Sequence, residues 1–266
     1  MLQTWIDIRH GHLFAKTRLF AKTWSSKQPG STGKAPIVLF HDSLGCVELW
    51  RDFPERLSQS TGRRVVAYDR LGFGKSDPHP GRLNNDFVQA EAREVLPALL
   101  DQLGIESFVA FGHSVGGGMA AVCAGEFQSR CRALITVSAQ AFVEDRTLNG
   151  IRTAQQLFEQ EGQLERLRKY HGDKAEWVLS AWIDTWLAPE FAEWNIDADL
   201  SRVQCPALII HGEDDEYGSV QHPKRIASMT EGPATVEILA NCAHVPHREK
   251  PDEVMNLIGR FLAENA

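Results

Sequence analysis

A short apolar run that passes directly into glycines around a serine decides the fold of this chain. The stretch reads Phe108-Val109-Ala110-Phe111-Gly112-His113-Ser114-Val115-Gly116, and residues typical of a helix follow it. A serine between a strand and a helix, with glycine two positions before and two after, sits on a tight and strained turn. That turn exposes the Ser114 hydroxyl at the carboxyl end of the strand and points the Val115 amide into the same space. The stretch therefore predicts a nucleophilic serine on an α/β scaffold.

Short apolar runs alternate with longer helical stretches along most of the chain. The predicted strands are residues 37–40, 64–69, 108–111, 133–137, 207–210 and 236–239. The predicted helices lie near residues 48–60, 86–103, 115–127, 222–230 and 252–264. Because such an alternation produces right-handed crossovers, we expect an α/β fold with a mostly parallel central sheet flanked by helices.

An edge hairpin is predicted before the first of these strands. The stretch Leu13-Phe14-Ala15-Lys16-Thr17 recurs as Leu19-Phe20-Ala21-Lys22-Thr23, which we interpret as a local duplication in that hairpin. His10 and His12 are expected on the same solvated hairpin. No functional role is expected of this region.

Residues 142–203 break the alternation, because they show helical periodicity and no strand signal. We predict that they form a helical lid inserted into a core domain made of residues 1–141 and 204–266. Four of the seven tryptophans lie in the predicted lid, at positions Trp177, Trp182, Trp186 and Trp194. Trp182 and Trp186 share one helix face, and they form either the core of the lid or the wall of an apolar substrate pocket beneath it.

Charge and cysteine content exclude several kinds of partner. The 266 residues carry 28 Lys and Arg against 35 Asp and Glu, a formal net charge of −7. Binding to nucleic acid or to an anionic membrane needs a basic face, so neither partner is expected. Five cysteines with no C-x-x-C pair, together with the lack of a signal peptide or apolar span, predict a cytoplasmic protein acting on a small molecule. No recognisable seam indicates an oligomeric state.

Acids and histidines follow two later strands, at the sheet edge where Ser114 is expected. Residues 211–218 follow the strand at 207–210 and contain four carboxylates. His244 and His247 follow the last predicted strand. Because the carboxyl ends of parallel strands share one edge, a serine, an acid and a histidine converge there, as a nucleophile, its base and the group that orients the base require.

Together these motifs resemble the α/β-hydrolase superfamily over essentially the whole chain. The matching features are His41-Asp42-Ser43-Leu44-Gly45, the run from Asp69 to Ser76, the Gly112–Gly116 nucleophile elbow, Gly212-x-x-Asp215, and His244 followed by Glu249-x-Pro251. The resemblance implies a catalytic triad of Ser114, Asp215 and His244, in the chain order of that superfamily. It also implies that the run from Asp69 to Ser76 is structural.

The turn at residues 41–45 departs from the family pattern, which is commonly His-Gly-x-x-Gly. Asp42 stands in place of the first glycine and puts a carboxylate near the pocket mouth. The resemblance implies that Ser43 donates one oxyanion-hole amide and Val115 the other. Similar turns without that glycine occur in the enol-lactonase branch, which this stretch resembles.

The resulting expectation is a hydrolase that cleaves a small apolar carboxylic ester or lactone through an acyl-enzyme, without a metal or organic cofactor. One alternative is a carbon–carbon bond hydrolase of a ring-cleavage product, which would use the same triad. Another is a ligand receptor on a hydrolase fold. Asp42, His113, Trp182 and Trp186 are the expected pocket residues.

Several residues carry weaker alternatives. Some family members place the acid after the strand at 133–137, so Asp145 stays open as an alternative acid. His244 and His247 have metal-ligand spacing but no evident third ligand. Cys46 is expected to be a small apolar filler near the turn at 41–45.

Overall fold

The structure is a computed structural model that describes residues 1–8, 17–25 and 33–266, and a sheet of eight strands forms its centre. The strands are β1 (Leu2–Ile8), β2 (Thr17–Trp24), β3 (Ile37–Phe40), β4 (Val65–Tyr68), β5 (Phe108–His113), β6 (Cys131–Val137), β7 (Ala207–Gly212) and β8 (Ala234–Leu239). Their order is β1-β2-β4-β3-β5-β6-β7-β8. The first two strands pair antiparallel with each other and with β4, and every pair from β4 to β8 is parallel.

Helices cover both faces of this sheet. They are α1 (Phe53–Thr61), α2 (Phe87–Ala90), α3 (Leu96–Gln102), α4 (Val115–Glu126), α5 (Asp145–Phe158), α6 (Gln163–His171), α7 (Ala175–Trp186), α8 (Asp197–Leu200), α9 (Gln221–Met229), α10 (Pro246–Glu249) and α11 (Pro251–Asn265). A π-helical segment, Glu91–Val95, joins α2 to α3. Short 3₁₀ helices occupy Val47–Trp50, Gly172–Lys174 and Pro189–Phe191.

The predicted α/β architecture is confirmed. The central strands are short and wholly buried, as expected for parallel strands covered on both faces. In β3, Val38 and Phe40 pack into the core beneath α4, whereas Ile37 and Leu39 pack into the core beneath α1 and α11. This alternation follows from the two-residue side-chain period of a strand.

The predicted edge hairpin is described only in part. Residues 17–24 form β2, which pairs with β1 from Leu2↔Thr23 to Ile8↔Thr17. The first copy of the repeated stretch, up to residue 16, lies outside the described residues, and so do His10 and His12.

Residues 142–203, all of which the structure describes, contain helices α5 to α8 and no strand. A single isolated bridge joins Phe142 to Asn195. The helical character of this segment agrees with the sequence, whereas its action as a lid stays a prediction.

Several side chains attach this helical segment to the core, and Trp177 and His171 are two of them. The Trp177 indole donates to the carbonyl of Gly81 at 2.7 Å and stacks on the His79 ring. His171 accepts from the Gly74 amide at Nδ1, and its Nε2–H donates to the Leu44 carbonyl at 3.0 Å. Burial lowers the pKa of His171 to about 4, so the neutral ring makes both contacts near neutral pH.

The five cysteines are buried and free. Within the described ranges, no helix combines the length and the apolar character needed to cross a membrane.

Candidate active site

The predicted nucleophile lies at the junction of β5 and α4. Ser114 has φ 57° and ψ −129°, a strained combination for a residue with a side chain. A Cβ atom on Gly112 would lie 2.0 Å from the Gly116 carbonyl oxygen, and one on Gly116 would lie 2.2 Å from the Phe40 carbonyl oxygen. Both glycines are therefore required for the close approach of strand and helix that raises Ser114 at the sheet edge.

The Ser114 hydroxyl donates to Gln140 Oε1 at 3.4 Å, a long and weak hydrogen bond. No hydrogen bond joins this hydroxyl to His244 within the described part of the chain. Gaps of this kind at catalytic serines commonly close when substrate binds. Gln140 was missed by the sequence reasoning, although it follows β6 at the same sheet edge as Ser114.

Asp215 and His244 form a buried pair. The imidazole Nδ1–H donates to Asp215 Oδ1 at 2.8 Å, with Oδ2 at 2.9 Å, and Asp215 is fully buried. The same carboxylate accepts from the backbone amides of Tyr217 and Gly218, at 2.8 and 3.1 Å. This pairing fixes the tautomer of His244 and leaves its Nε2 to accept a proton.

The pKa values of the pair move in opposite directions. Burial alone would raise the pKa of Asp215, but the hydrogen bond and charge of His244 lower it below its ordinary value. Burial alone would lower the pKa of His244, but the hydrogen bond and charge of Asp215 raise it above its ordinary value. His244 is therefore strengthened as a base by its carboxylate partner.

Further histidines surround this pair. His113 donates from Nε2 to the His244 carbonyl at 2.8 Å, and burial lowers the pKa of His113 to about 4. His247 packs against His113 and Trp50, with ring centroids 4.8 and 5.1 Å away. His211 Nε2 lies 3.6 Å from Asp215 Oδ2, and the sequence did not predict this contact.

Three hydrogen bonds to the backbone carbonyl of Asp42 hold the turn that carries Ser43. The Asp42 carbonyl oxygen accepts from the Gly45 amide at 3.1 Å, from His41 Nδ1–H at 2.8 Å and from Arg70 Nη2–H at 3.0 Å. Because a trans peptide is planar, a fixed Asp42 carbonyl also fixes the direction of the Ser43 amide. The turn is thus rigid although it lacks the family glycine.

The Asp42 side chain folds back over its own turn. A Cβ atom on Gly45 would lie 2.1 Å from Asp42 Oδ1 and 2.9 Å from His41 Cβ, so the turn leaves little room for a side chain there. The same oxygen lies 4.0 Å from His113 Nδ1, and the side chain is 34% exposed.

A small cavity is lined by four of the predicted site residues, and we name it the inner cavity. The predicted triad residues Ser114, Asp215 and His244 are not part of its lining. The cavity is partly open to solvent, and its volume is about 10 Å³. Its lining comprises Ser43, Arg70, Phe73, Leu83, Phe87, Val115, Ala181, Trp182 and Trp186. Both predicted oxyanion residues and both predicted pocket tryptophans therefore face one space, whereas Asp42 and His113 are not part of its lining.

The alternative acid lies elsewhere. His244 pairs with Asp215, and Asp145 is an exposed residue in the first turn of α5. Its neighbour Glu144 accepts hydrogen bonds from the Ser219 amide and hydroxyl, at 2.6 and 2.9 Å, and lies 3.2 Å from His222 Nε2. These contacts tie the loop after β6 to the loop before α9.

Two residues near the site, Asp69 and Cys46, are buried in the protein. Asp69 accepts from the amides of Val47 and Lys75, at 2.6 and 2.7 Å, and its carbonyl accepts from the Ser76 hydroxyl. Cys46 is buried, and burial raises the pKa of its thiol to about 12, so the thiol stays protonated.

Comparison with known proteins agrees with this geometry. The family model described as alpha/beta hydrolase fold matches residues 35–164. The chain is 28% identical to serine hydrolase BPHL of Mus musculus over 86% of this chain and 80% of that protein. It is 27% identical to 2-hydroxymuconate semialdehyde hydrolase of Pseudomonas sp. (strain CF600), over 86% and 87% of the two chains.

A solved structure shows the same fold over nearly the whole chain. The enol-lactonase from Burkholderia xenovorans LB400 superposes with a TM-score of 0.70 and 18% identity, over 93% of this chain and 97% of that one. Fold, elbow and family model agree, and the chain has the alpha/beta hydrolase fold.

Proposed function

We propose that this protein is a serine hydrolase that cleaves a small apolar carboxylic ester or lactone through an acyl-enzyme. The observation that carries the proposal is the buried Asp215–His244 pair at the same sheet edge as the strained Ser114. A base oriented by an acid beside a presented hydroxyl is the arrangement that activates a serine.

In the first half of the reaction, His244 Nε2 takes the Ser114 proton as the oxygen attacks the carbonyl carbon. The Asp215 carboxylate stabilises the imidazolium that forms. The imidazolium then gives its proton to the leaving alkoxide, and an ester of Ser114 remains. Water, deprotonated by the same histidine, attacks that ester, and the imidazolium returns its proton to the Ser114 oxygen as the acid leaves.

The amides of Val115 and Ser43 are the proposed oxyanion hole. Their residues line the inner cavity, and the Ser43 amide is held by the three donors on the Asp42 carbonyl. Loss of one such donor costs about 3–4 kcal/mol of transition-state stabilisation in other hydrolases.

Residues 142–203 are the proposed lid. Trp182 and Trp186 of α7 contribute apolar walls to the inner cavity, which favours an apolar group next to the scissile bond. A net charge of −7 and five buried free thiols favour a cytoplasmic protein with a small-molecule substrate over a partner of nucleic acid or membrane. The proposed mechanism uses no metal or organic cofactor.

A carbon–carbon bond hydrolase of a ring-cleavage product is the second candidate. The similarity to 2-hydroxymuconate semialdehyde hydrolase, over 86% of this chain, favours it. A ligand receptor on the same fold is the third, and it would bind without turnover.

The deciding experiment compares purified wild type with Ser114→Ala on p-nitrophenyl butyrate. We expect nitrophenol release by the wild type and its loss in the variant, together with fluorophosphonate labelling of Ser114 alone. Loss of absorbance from a ring-cleavage product without ester cleavage would favour the second candidate. Ligand-induced melting shifts without any turnover would favour the receptor.

A further inference from the structure

Arg70 is the one charged residue in the lining of the inner cavity. The remaining lining is Ser43 and Val115 on the nucleophile side and apolar or aromatic side chains elsewhere. A single cation in an otherwise apolar cavity is costly to maintain unless something pairs with it.

The protein itself does not complete that pairing. Arg70 is 4% exposed, and its guanidinium lies 4.2 Å above the Phe73 ring. Nη2 donates to the Asp42 carbonyl, but Nε is buried without a hydrogen-bond partner. Within the described ranges, no carboxylate lies within 4.0 Å of this guanidinium.

A second, outer cavity meets the inner one at Arg70. It is partly open to solvent, has a volume of about 70 Å³, and shares Arg70, Phe73, Leu83 and Phe87 with the inner cavity. A substrate whose carbonyl lies near Ser43 and Val115 would therefore extend past Arg70 toward the outer cavity.

The outer cavity also carries carboxylates, which would favour a cationic ligand instead. It carries three, Asp86, Glu91 and Glu94, and each has an interaction within the protein. Asp86 pairs with Arg93 at 2.5 Å, and Glu91 accepts from the Tyr68 hydroxyl at 2.6 Å. Glu91 also acts on Arg70 as a nearby negative charge, but the buried Nε of the guanidinium still has no hydrogen-bond partner.

We propose that Arg70 binds a carboxylate of the substrate, several atoms from the scissile carbonyl, so that the preferred substrates are half-esters or lactones of acids. The inference rests on the proposed hydrolase function and deepens it. A guanidinium fits a planar carboxylate through paired N–H donors, and such hydrogen bonds strengthen in an apolar cavity.

The test compares three esters of matched chain length: p-nitrophenyl hexanoate, the mono-p-nitrophenyl ester of adipic acid, and p-nitrophenyl 6-aminohexanoate. We expect the wild type to favour the adipate ester over the hexanoate by about tenfold or more in kcat/KM, since a buried charge is paired only by the former. Arg70→Gln should abolish that ratio, and Arg70→Lys should retain part of it.

The test uses the ratio of kcat/KM for the adipate and hexanoate esters. A general loss of activity caused by a looser turn at Asp42 would lower both values and leave their ratio unchanged. Arg63→Gln is the matched control, because Arg63 is a buried arginine that donates to the backbone carbonyls of Ala35 and Ala266 and lies outside both cavities. Its ratio should equal that of the wild type. Equal rates on hexanoate and adipate esters, preference for the aminohexanoate, or an unchanged ratio in Arg70→Gln would overturn the proposal.

Failure of the proposed function is separable from failure of this subsite. If no ester is cleaved in a Ser114-dependent way, calorimetry on Ser114→Ala with monomethyl adipate and methyl hexanoate still decides. Tighter binding of monomethyl adipate that is lost in Ser114→Ala/Arg70→Gln supports the carboxylate site, and equal binding of the two esters refutes it.

Discussion

His113 donates its Nε2 hydrogen to the backbone carbonyl of His244 at 2.8 Å, so the residue before the proposed nucleophile holds the chain that carries the proposed base. Two turns at different strand ends are thereby joined through a single buried side chain. This contact favours a positioning role for His113, whereas the sequence predicted it only as a pocket residue.

We expect His113→Ala to lower both stability and turnover. The variant leaves the buried His244 carbonyl without its donor, which costs about 1–3 kcal/mol of unfolding free energy. Displacement of His244 should lower kcat more than it raises KM. Denaturant unfolding and steady-state kinetics measure both, and an unchanged kcat in a destabilised variant would show that His113 has no positioning role.

The pH profile should report the Asp215–His244 pair. Because catalysis needs neutral His244, kcat/KM should fall as pH drops through a pKa above the usual value of about 6.5. Asp215→Asn removes the group that raises this pKa and fixes the tautomer, so we expect kcat to fall by about 10⁴-fold. Asp214→Asn is the matched control, and a comparable loss there would contradict the assignment of Asp215.

Asp42 should tune the same profile. Its carboxylate also raises the pKa of His244, so Asp42→Asn should move the acidic limb of kcat/KM to lower pH. The Asp42 backbone carbonyl, which holds the turn, remains in the variant, so the plateau rate should change little. A profile that coincides with that of the wild type would exclude an electrostatic effect of Asp42 on the base.

Glu144 should stabilise the fold at neutral pH. Although burial would raise its pKa, hydrogen bonds from His222 and Ser219 lower it to about 2. A depressed carboxyl pKa stabilises the fold above the unfolded value of about 4.3, and this contribution is lost as pH falls toward 2. We expect Glu144→Gln to cost about 1–3 kcal/mol at pH 7. Urea unfolding between pH 2 and pH 7 measures it, and parallel curves for variant and wild type would contradict the prediction.

Local sequence patterns predicted the strands and the elbow because their causes are local. The apolar run at residues 37–40 is β3, and the glycines around Ser114 are required by backbone contacts. Strand ends were less predictable, since β7 continues through Gly212, two residues beyond the apolar run. The π-helical segment Glu91–Val95 left no sequence signal, because a segment of about one turn is too short to show its own periodicity.

Contacts between segments that lie far apart in the chain could not be predicted from the sequence. The run containing Arg70 was interpreted as structural, which the contacts of Asp69 support. The position of Arg70 in a cavity depends on α7, whose side chains arrive from more than a hundred residues away. Gln140 likewise meets Ser114 only through the register of β5 with β6.

The positive φ of Ser114 gives this site an evolutionary signature. Glycine adopts that backbone conformation more easily than serine, so Ser114→Gly relieves strain while removing the hydroxyl. Selection for stability alone would therefore favour glycine at this position. Among descendants of this chain, a lineage released from selection for chemistry should drift toward glycine at 114 while keeping the fold, whereas retention of serine marks a lineage in which the hydroxyl is still used.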